Sequence, residues 1–222
     1  MFPLKDTQPS YSQPAVTIAL IVVNVAIFLF EASLGPYNRN ALIEYYGLIP
    51  DQVRLSSILT SMFLHGGWLH VLGNMWFLWI FGDNIEDLLG HAKFLAFYLL
   101  CGIVAALGQV IANPNSTVPM VGASGAIAGV MGAYLVKFPR ARILTLVFFL
   151  FITVIEIPAP LMLAYWFVIQ LFSGFGSIAR THLSEGGTAF FAHIAGFVAG
   201  MALVKVMGAS GEYNRRRDRY WE

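Results

Sequence analysis

Charged residues are scarce in this sequence. Only 11% of its 222 residues are Asp, Glu, Lys or Arg, against about 25% in soluble chains. The deficit falls in blocks, with none of the four in residues 7–30, 55–82, 94–136, 157–179 or 186–204. An apolar run of about 20 residues crosses bilayer hydrocarbon as a helix rising about 1.5 Å per residue. The chain therefore reads as an all-α polytopic membrane protein, with the lipid bilayer as its solvent. A formal net charge of +1 leaves no basic face for nucleic acid. The single cysteine, Cys101, excludes an internal disulfide framework and any Cys-rich metal site. It lies in an apolar segment, where a packing role suits it better than reactivity. No motif implies a metal or a cofactor. The first apolar segment is too long for a signal-peptide core and has no small-residue cleavage site after it, so it is expected to stay as a helix.

What is present divides into six segments. The expected spans are about residues 15–30, 69–81, 92–112, 124–138, 159–174 and 188–206. The second is read as ending in Gly82-Asp83-Asn84-Ile85-Glu86-Asp87. The charge-free block 94–136 is too long for one crossing, and Asn113-Pro114-Asn115-Ser116-Thr117-Val118-Pro119 splits it with a strong turn signal. Residues 143–155 are apolar, aromatic and β-branched but short for a span, which suits an interfacial or re-entrant piece. With six spans and a cytoplasmic N-terminus, ten Lys and Arg lie inside and three outside (Arg39, Arg54 and Arg180). That is the positive-inside asymmetry, and a seventh span would move the tail arginines outside. The expected organisation is a cytoplasmic tail (1–14), a six-span core (15–207) and a basic cytoplasmic tail (208–222).

Polar side chains at membrane depth are the informative ones against so apolar a background. His65, His70 and Asn74 stand at the start of span two, Ser124 at the start of span four and His193 near the start of span six. These three spans all run from outside to inside, so the residues share one depth near the outer face. Ser124 beside a histidine is a nucleophile with its base. The unpaired N–H groups of a helix start stabilise an oxyanion. His70 and Asn74, four apart on one helix face, can donate to the same oxyanion. No carboxylate stands in spans four to six to orient His193, so the expectation is a dyad. Gly125, Gly129 and Gly132 on span four, with Gly196 and Gly200 on span six, permit the close helix approach that short side chains need. Each feature alone also fits ordinary helix packing; their coincidence at one depth favours catalysis. A zinc protease would need His-Glu-x-x-His, and an aspartyl protease two embedded aspartates; the spans hold neither.

The runs His65-Gly66-Gly67-Trp68-Leu69-His70-Val71-Leu72-Gly73-Asn74-Met75, Gly122-Ala123-Ser124-Gly125 and His193-Ile194-Ala195-Gly196 with Gly200 strongly resemble the rhomboid family of intramembrane serine proteases. Gly82, Glu86 and Gly90 look like that family's signature after the second span. The resemblance covers the six-span core. It implies Ser124 as nucleophile and His193 as general base. His70, Asn74 and the Ser124 backbone N–H would form the oxyanion hole. His65, Gly122, Gly125, Gly196 and Gly200 would give structural support, and Glu86 would tie the loop at the end of span two. Its substrates would be transmembrane proteins, cut in or near the outer end of single-pass helices. It implies a multi-pass protein of the prokaryotic cell membrane in a minimal form, without an added domain or seventh helix. A cap over the site is expected in residues 173–187, which hold Gly174, Gly176, Gly186 and Gly187. Some members carry an aromatic ring four residues after the nucleophile to stack on the histidine, where this chain has Ala128. The alternative reading is a non-catalytic rhomboid-like protein that binds membrane helices, or a small transporter. An intact Ser124/His193 pair argues against it.

Overall fold

The computed structural model describes residues 2–148, 152–179, 189–211 and 213. Its helices are α1 (Ala15–Ser33), α2 (Pro36–Tyr46), α3 (Leu55–Thr60), α4 (Trp68–Leu89), α5 (His91–Ala112), α6 (Ser124–Lys137), α7 (Ala159–Ala179) and α8 (Phe190–Met207). The strands β1 (Phe2–Asp6), β2 (Arg142–Phe148) and β3 (Ile152–Pro158) form one small antiparallel sheet in that order. The chain is mostly helical, and α1, α4, α5, α6, α7 and α8 fall on the six segments expected from the hydropathy. Of these, α1, α5 and α8 are each long and apolar enough to cross a membrane unaided. With 14 residues, α6 is only about 21 Å long, short of about 30 Å of hydrocarbon.

A helix that short leaves irregular backbone at membrane depth, which is stable only where protein covers it. The segment before α6 is covered in this way. Met120 and Leu48 exchange both backbone hydrogen bonds (3.0 and 2.8 Å), and the Gly122 amide donates to the Ser61 carbonyl at 2.9 Å. The connection 34–67, with α2 and α3, thereby holds the approach to Ser124 in place.

The second span runs further than its polar ending suggested. α4 continues through Gly82–Asp87 to Leu89 and stops at Gly90, whose φ of +79° favours glycine. The polar residues persist in a buried helix because the N-terminal segment pairs with them. Glu86 accepts the Val16 and Thr17 amides at 2.8 and 2.7 Å, and His91 Nδ1 lies 2.6 Å from it. Asp87 accepts the Ser12 amide at 3.0 Å, and Asn84 donates to the Gln8 carbonyl at 3.1 Å. Glu86 therefore caps the first turn of α1, which has no side-chain cap of its own, and holds His91 across the turn at Gly90 where α4 ends.

Residues 142–148 and 152–158 are the paired antiparallel strands β2 and β3, extended chain in place of a spanning helix. Their β-branched alternation pairs Ile143 with Ile157 and Thr145 with Ile155, burying Ile143 and Thr145 fully. Residues 2–6, read from sequence as part of a tail, add the third strand. Asp6 reaches into the bundle to accept the Tyr134 hydroxyl at 2.5 Å. The Ala159 amide donates to the Ala141 carbonyl at 2.9 Å, so β2 begins and β3 ends at one place. The C-terminal end of α8 meets the end of α4, with the Ser210 amide on the Leu88 carbonyl at 2.7 Å. Ser12 and Ser210 thus lie at one end of the bundle.

α6 and α8 pack backbone to backbone. A Cβ built on Gly196 would run into the Gly125 carbonyl, and one on Gly200 into that of Gly129. Cys101 is wholly buried in α5 against Gly129, a packing position.

Candidate active site

α4, α6 and α8 all begin at the end of the bundle away from Ser12 and Ser210. Ser124 opens α6, His193 stands in the first turn of α8, and His70 and Asn74 in the first two turns of α4. The close α6–α8 packing brings Ser124 Oγ to 2.7 Å from His193 Nε2. Both face a cavity of about 530 Å³, also lined by His70, Asn74, Trp166 and Met131.

Hydrogen bonding assigns the two site histidines opposite tautomers. The Gly66 amide donates to His70 Nδ1 at 3.4 Å, so His70 carries its proton on Nε2. That nitrogen lies by Gly122, where a built Cβ would be 2.7 Å from it and 3.4 Å from Asn74 Nδ2. Gly122 has φ +124° as well, so both the space and the backbone there require glycine. Asn74 Nδ2 is buried and finds no partner among the described residues. Two N–H donors thus converge two residues before Ser124, whose own amide is among the unpaired donors of a helix start. On His193 the pattern reverses. Its Nδ1 lies 2.8 Å from Gln170 Oε1, an oxygen that only accepts, so Nε2 faces Ser124 as an acceptor.

His65 touches neither Ser124 nor His193. It is wholly buried between Phe28 and His70, with ring centroids 6.4 and 5.2 Å away. Burial, and then the neighbouring His70, hold its ring neutral by pushing its pKa down to about 4. Its amide donates to the Glu31 carboxylate at 3.2 and 3.3 Å, and its carbonyl accepts Arg39 Nη2 at 3.1 Å. Gly125, Gly196 and Gly200 form the α6–α8 contact, while Glu86 lies at the opposite end of the bundle.

Three side chains near the site escaped the sequence reading. Gln170 and Trp166 reach His193 from α7, the tryptophan with its ring centroid at 5.7 Å. Trp166 supplies the aromatic contact that buried Ala128 cannot. Gln109 of α5 accepts the Ala192 amide at 3.3 Å, capping the first turn of α8 beside His193. Both glutamines are uncharged amides, without the charge that marks a carboxylate partner in the sequence. The available signal was an amide side chain inside a charge-free apolar block, which is costly at membrane depth unless paired. Residues 180–188, the greater part of the expected cap, lie outside the described residues.

The fold is that of a multi-pass helical membrane protein with polar side chains gathered near one end of its bundle. Residues 52–210 match the sequence profile of the Rhomboid domain, and the chain belongs to the rhomboid family. It is 30% identical over 205 residues to Rhomboid protein 1, mitochondrial, of Saccharomyces cerevisiae, covering 90% of this chain and 55% of that one. Over 125 residues it is 30% identical to the Presenilin-associated rhomboid-like protein, mitochondrial, of Bos taurus (55% of this chain, 33% of that one). Over 127 residues it is 32% identical to the Rhomboid protease GluP of Bacillus subtilis (55% and 24%). The chain thus spans between about a quarter and just over half the length of these relatives.

Proposed function

We propose that this chain is an intramembrane serine endopeptidase cutting peptide bonds in or near the outer end of single-pass transmembrane helices. The observation that carries the proposal is the 2.7 Å contact between Ser124 Oγ and the acceptor nitrogen of His193. His193 Nε2 takes the hydroxyl proton as Oγ attacks the substrate carbonyl carbon. The resulting oxyanion is met by His70 Nε2–H, Asn74 Nδ2–H and the Ser124 amide. His193 returns the proton to the leaving amine. It then deprotonates the water that hydrolyses the acyl-enzyme, and Ser124 recovers its proton.

A peptide bond within a helix has its amide paired, so hydrolysis needs local unwinding and water at the site. Small or helix-breaking residues near the outer end of a substrate lower that cost. We further propose six crossings with both termini in the cytoplasm of a prokaryotic cell, which the distribution of Lys and Arg supports. The test is labelling of the full chain by a serine-directed fluorophosphonate, alongside cleavage of a single-pass helix in liposomes. Both should occur in the native chain and neither in Ser124→Ala. Helix binding without labelling or cleavage would instead support the non-catalytic reading.

A further inference from the structure

We infer that Gln170 is a positioning residue for His193, fixing the tautomer that lets Nε2 receive the Ser124 proton. This rests on the protease reading above and concerns the same site. Gln170 and His193 are both buried, 9% and 7% exposed, and Gln170 Oε1 stands 2.8 Å from His193 Nδ1. A neutral imidazole carries one proton on either nitrogen, and only the form with its proton on Nδ1 can act as base toward Ser124. The carbonyl oxygen of Gln170 accepts that proton's hydrogen bond and has none to offer in exchange. Partners of this kind fix tautomer and ring direction wherever a histidine must present its other nitrogen.

The placement on α7 strengthens the assignment. Trp166 and Gln170 are four residues apart and so share one face of the helix. Trp166 flanks the imidazole ring, and Gln170 fixes the nitrogen remote from Ser124. The ring is thereby held from α7 as well as from its own helix. Gln170 differs from the carboxylate of a soluble triad in carrying no charge. It selects the tautomer but gives the imidazolium no ion pair.

That difference provides the test. Full-length chain labelled with ¹⁵N-histidine is compared with Gln170→Leu and Gln170→Glu, and His193 is assigned through His193→Asn. In the native chain the His193 ring nitrogens should report a proton on Nδ1. Gln170→Leu should move the population toward Nε2–H and lower kcat with KM little changed. Forcing the wrong tautomer in a soluble triad costs about 10⁴ in kcat. Leucine leaves both tautomers accessible, so about tenfold to hundredfold is expected here. Gln170→Glu should restore kcat and move the acid limb of the pH profile upward, since a carboxylate at Nδ1 stabilises the imidazolium. A side chain that only fills space would move neither the tautomer nor the acid limb. The inference is overturned if the native ring carries its proton on Nε2, or if Gln170→Leu keeps the native tautomer. It is equally overturned if the acid limb of Gln170→Glu coincides with the native one. Should Gln170→Leu not fold, the native tautomer and the glutamate variant decide. The ring signals need no turnover, so a chain that cleaves nothing still tests Gln170 separately from the protease reading.

Discussion

Ser124 Oγ and His193 Nε2 stand 2.7 Å apart because α6 and α8 touch through glycine backbones just beyond them. Neither side chain has the reach to span an ordinary helix separation of about 8–10 Å. Such a pair works as a unit. Ser124→Ala and His193→Ala should each abolish cleavage while leaving a folded, membrane-inserted chain. The double variant should be scarcely worse than either single one. Rates measured in liposomes check this; substantial turnover by Ser124→Ala would end the serine mechanism.

Asn74 carries a buried donor with no partner among the described residues, close to the predicted oxyanion. A donor unpaired in the resting enzyme gains its partner only as negative charge develops, so its loss should fall on kcat. Removing one such donor costs about 10²–10³ in a soluble protease. With His70 and the Ser124 amide remaining, Asn74→Ala should lose about tenfold to a hundredfold in kcat. Unchanged kcat with weakened substrate binding would assign Asn74 to recognition.

The helical segments were legible in the sequence because hydrocarbon favours apolar length without charge, and the charge-free blocks, one of them divided by a turn signal, mark them. Ser124, His193, His70 and Asn74 stood out for the same reason, as polar groups where each carries a cost. What the pattern hid depends on partners distant in sequence. The continuation of α4 to Leu89 needs Ser12, Val16 and Thr17 to satisfy Asp87 and Glu86. Strands β2 and β3 have the apolar composition of a membrane segment, and only β-branched residues such as Ile143, Thr145, Ile155 and Ile157 mark them as strand. Gln170 was missed because its role is defined by one nitrogen of a ring 23 residues away.

Gly200 meets the Gly129 carbonyl with no room for a methyl group. Gly200→Ala should destabilise the bundle by about 1–3 kcal/mol or more through overpacking. At Gly35 a built Cβ meets nothing within 4 Å, so Gly35→Ala should stay within about 0.5 kcal/mol. Thermal unfolding in one detergent compares the two. Equal midpoints would mean that α6 and α8 are not held at this separation.

His65 links proton uptake to stability. Its pKa is about 4 in the folded chain against an ordinary 6.5, so the folded state binds fewer protons between those values. The stability of the neutral ring is fully present above pH 6.5 and is lost as pH falls toward 4. His65→Phe keeps an aromatic ring beside Phe28 and removes the titration. Its unfolding midpoint should therefore vary less over that window than the native one. Parallel curves for the two proteins would show that His65 does not titrate with folding.

The proposed orientation rests on the distribution of Lys and Arg, which predicts both termini inside. The contacts of Ser12 with Asp87 and of Ser210 with Leu88 bring both terminal segments to one end of the bundle. Thr117, exposed in the turn between α5 and α6, lies at the other end, with the site. Arg217 lies in the basic tail, outside the described residues. The native Cys101 is wholly buried and should be silent toward an impermeant thiol reagent. Thr117→Cys should then react only from outside intact cells, and Arg217→Cys only in inverted vesicles. Labelling of both from the same side would require an even number of crossings between the two positions. That would remove the shared depth of Ser124 and His193 on which a single outward-facing site depends.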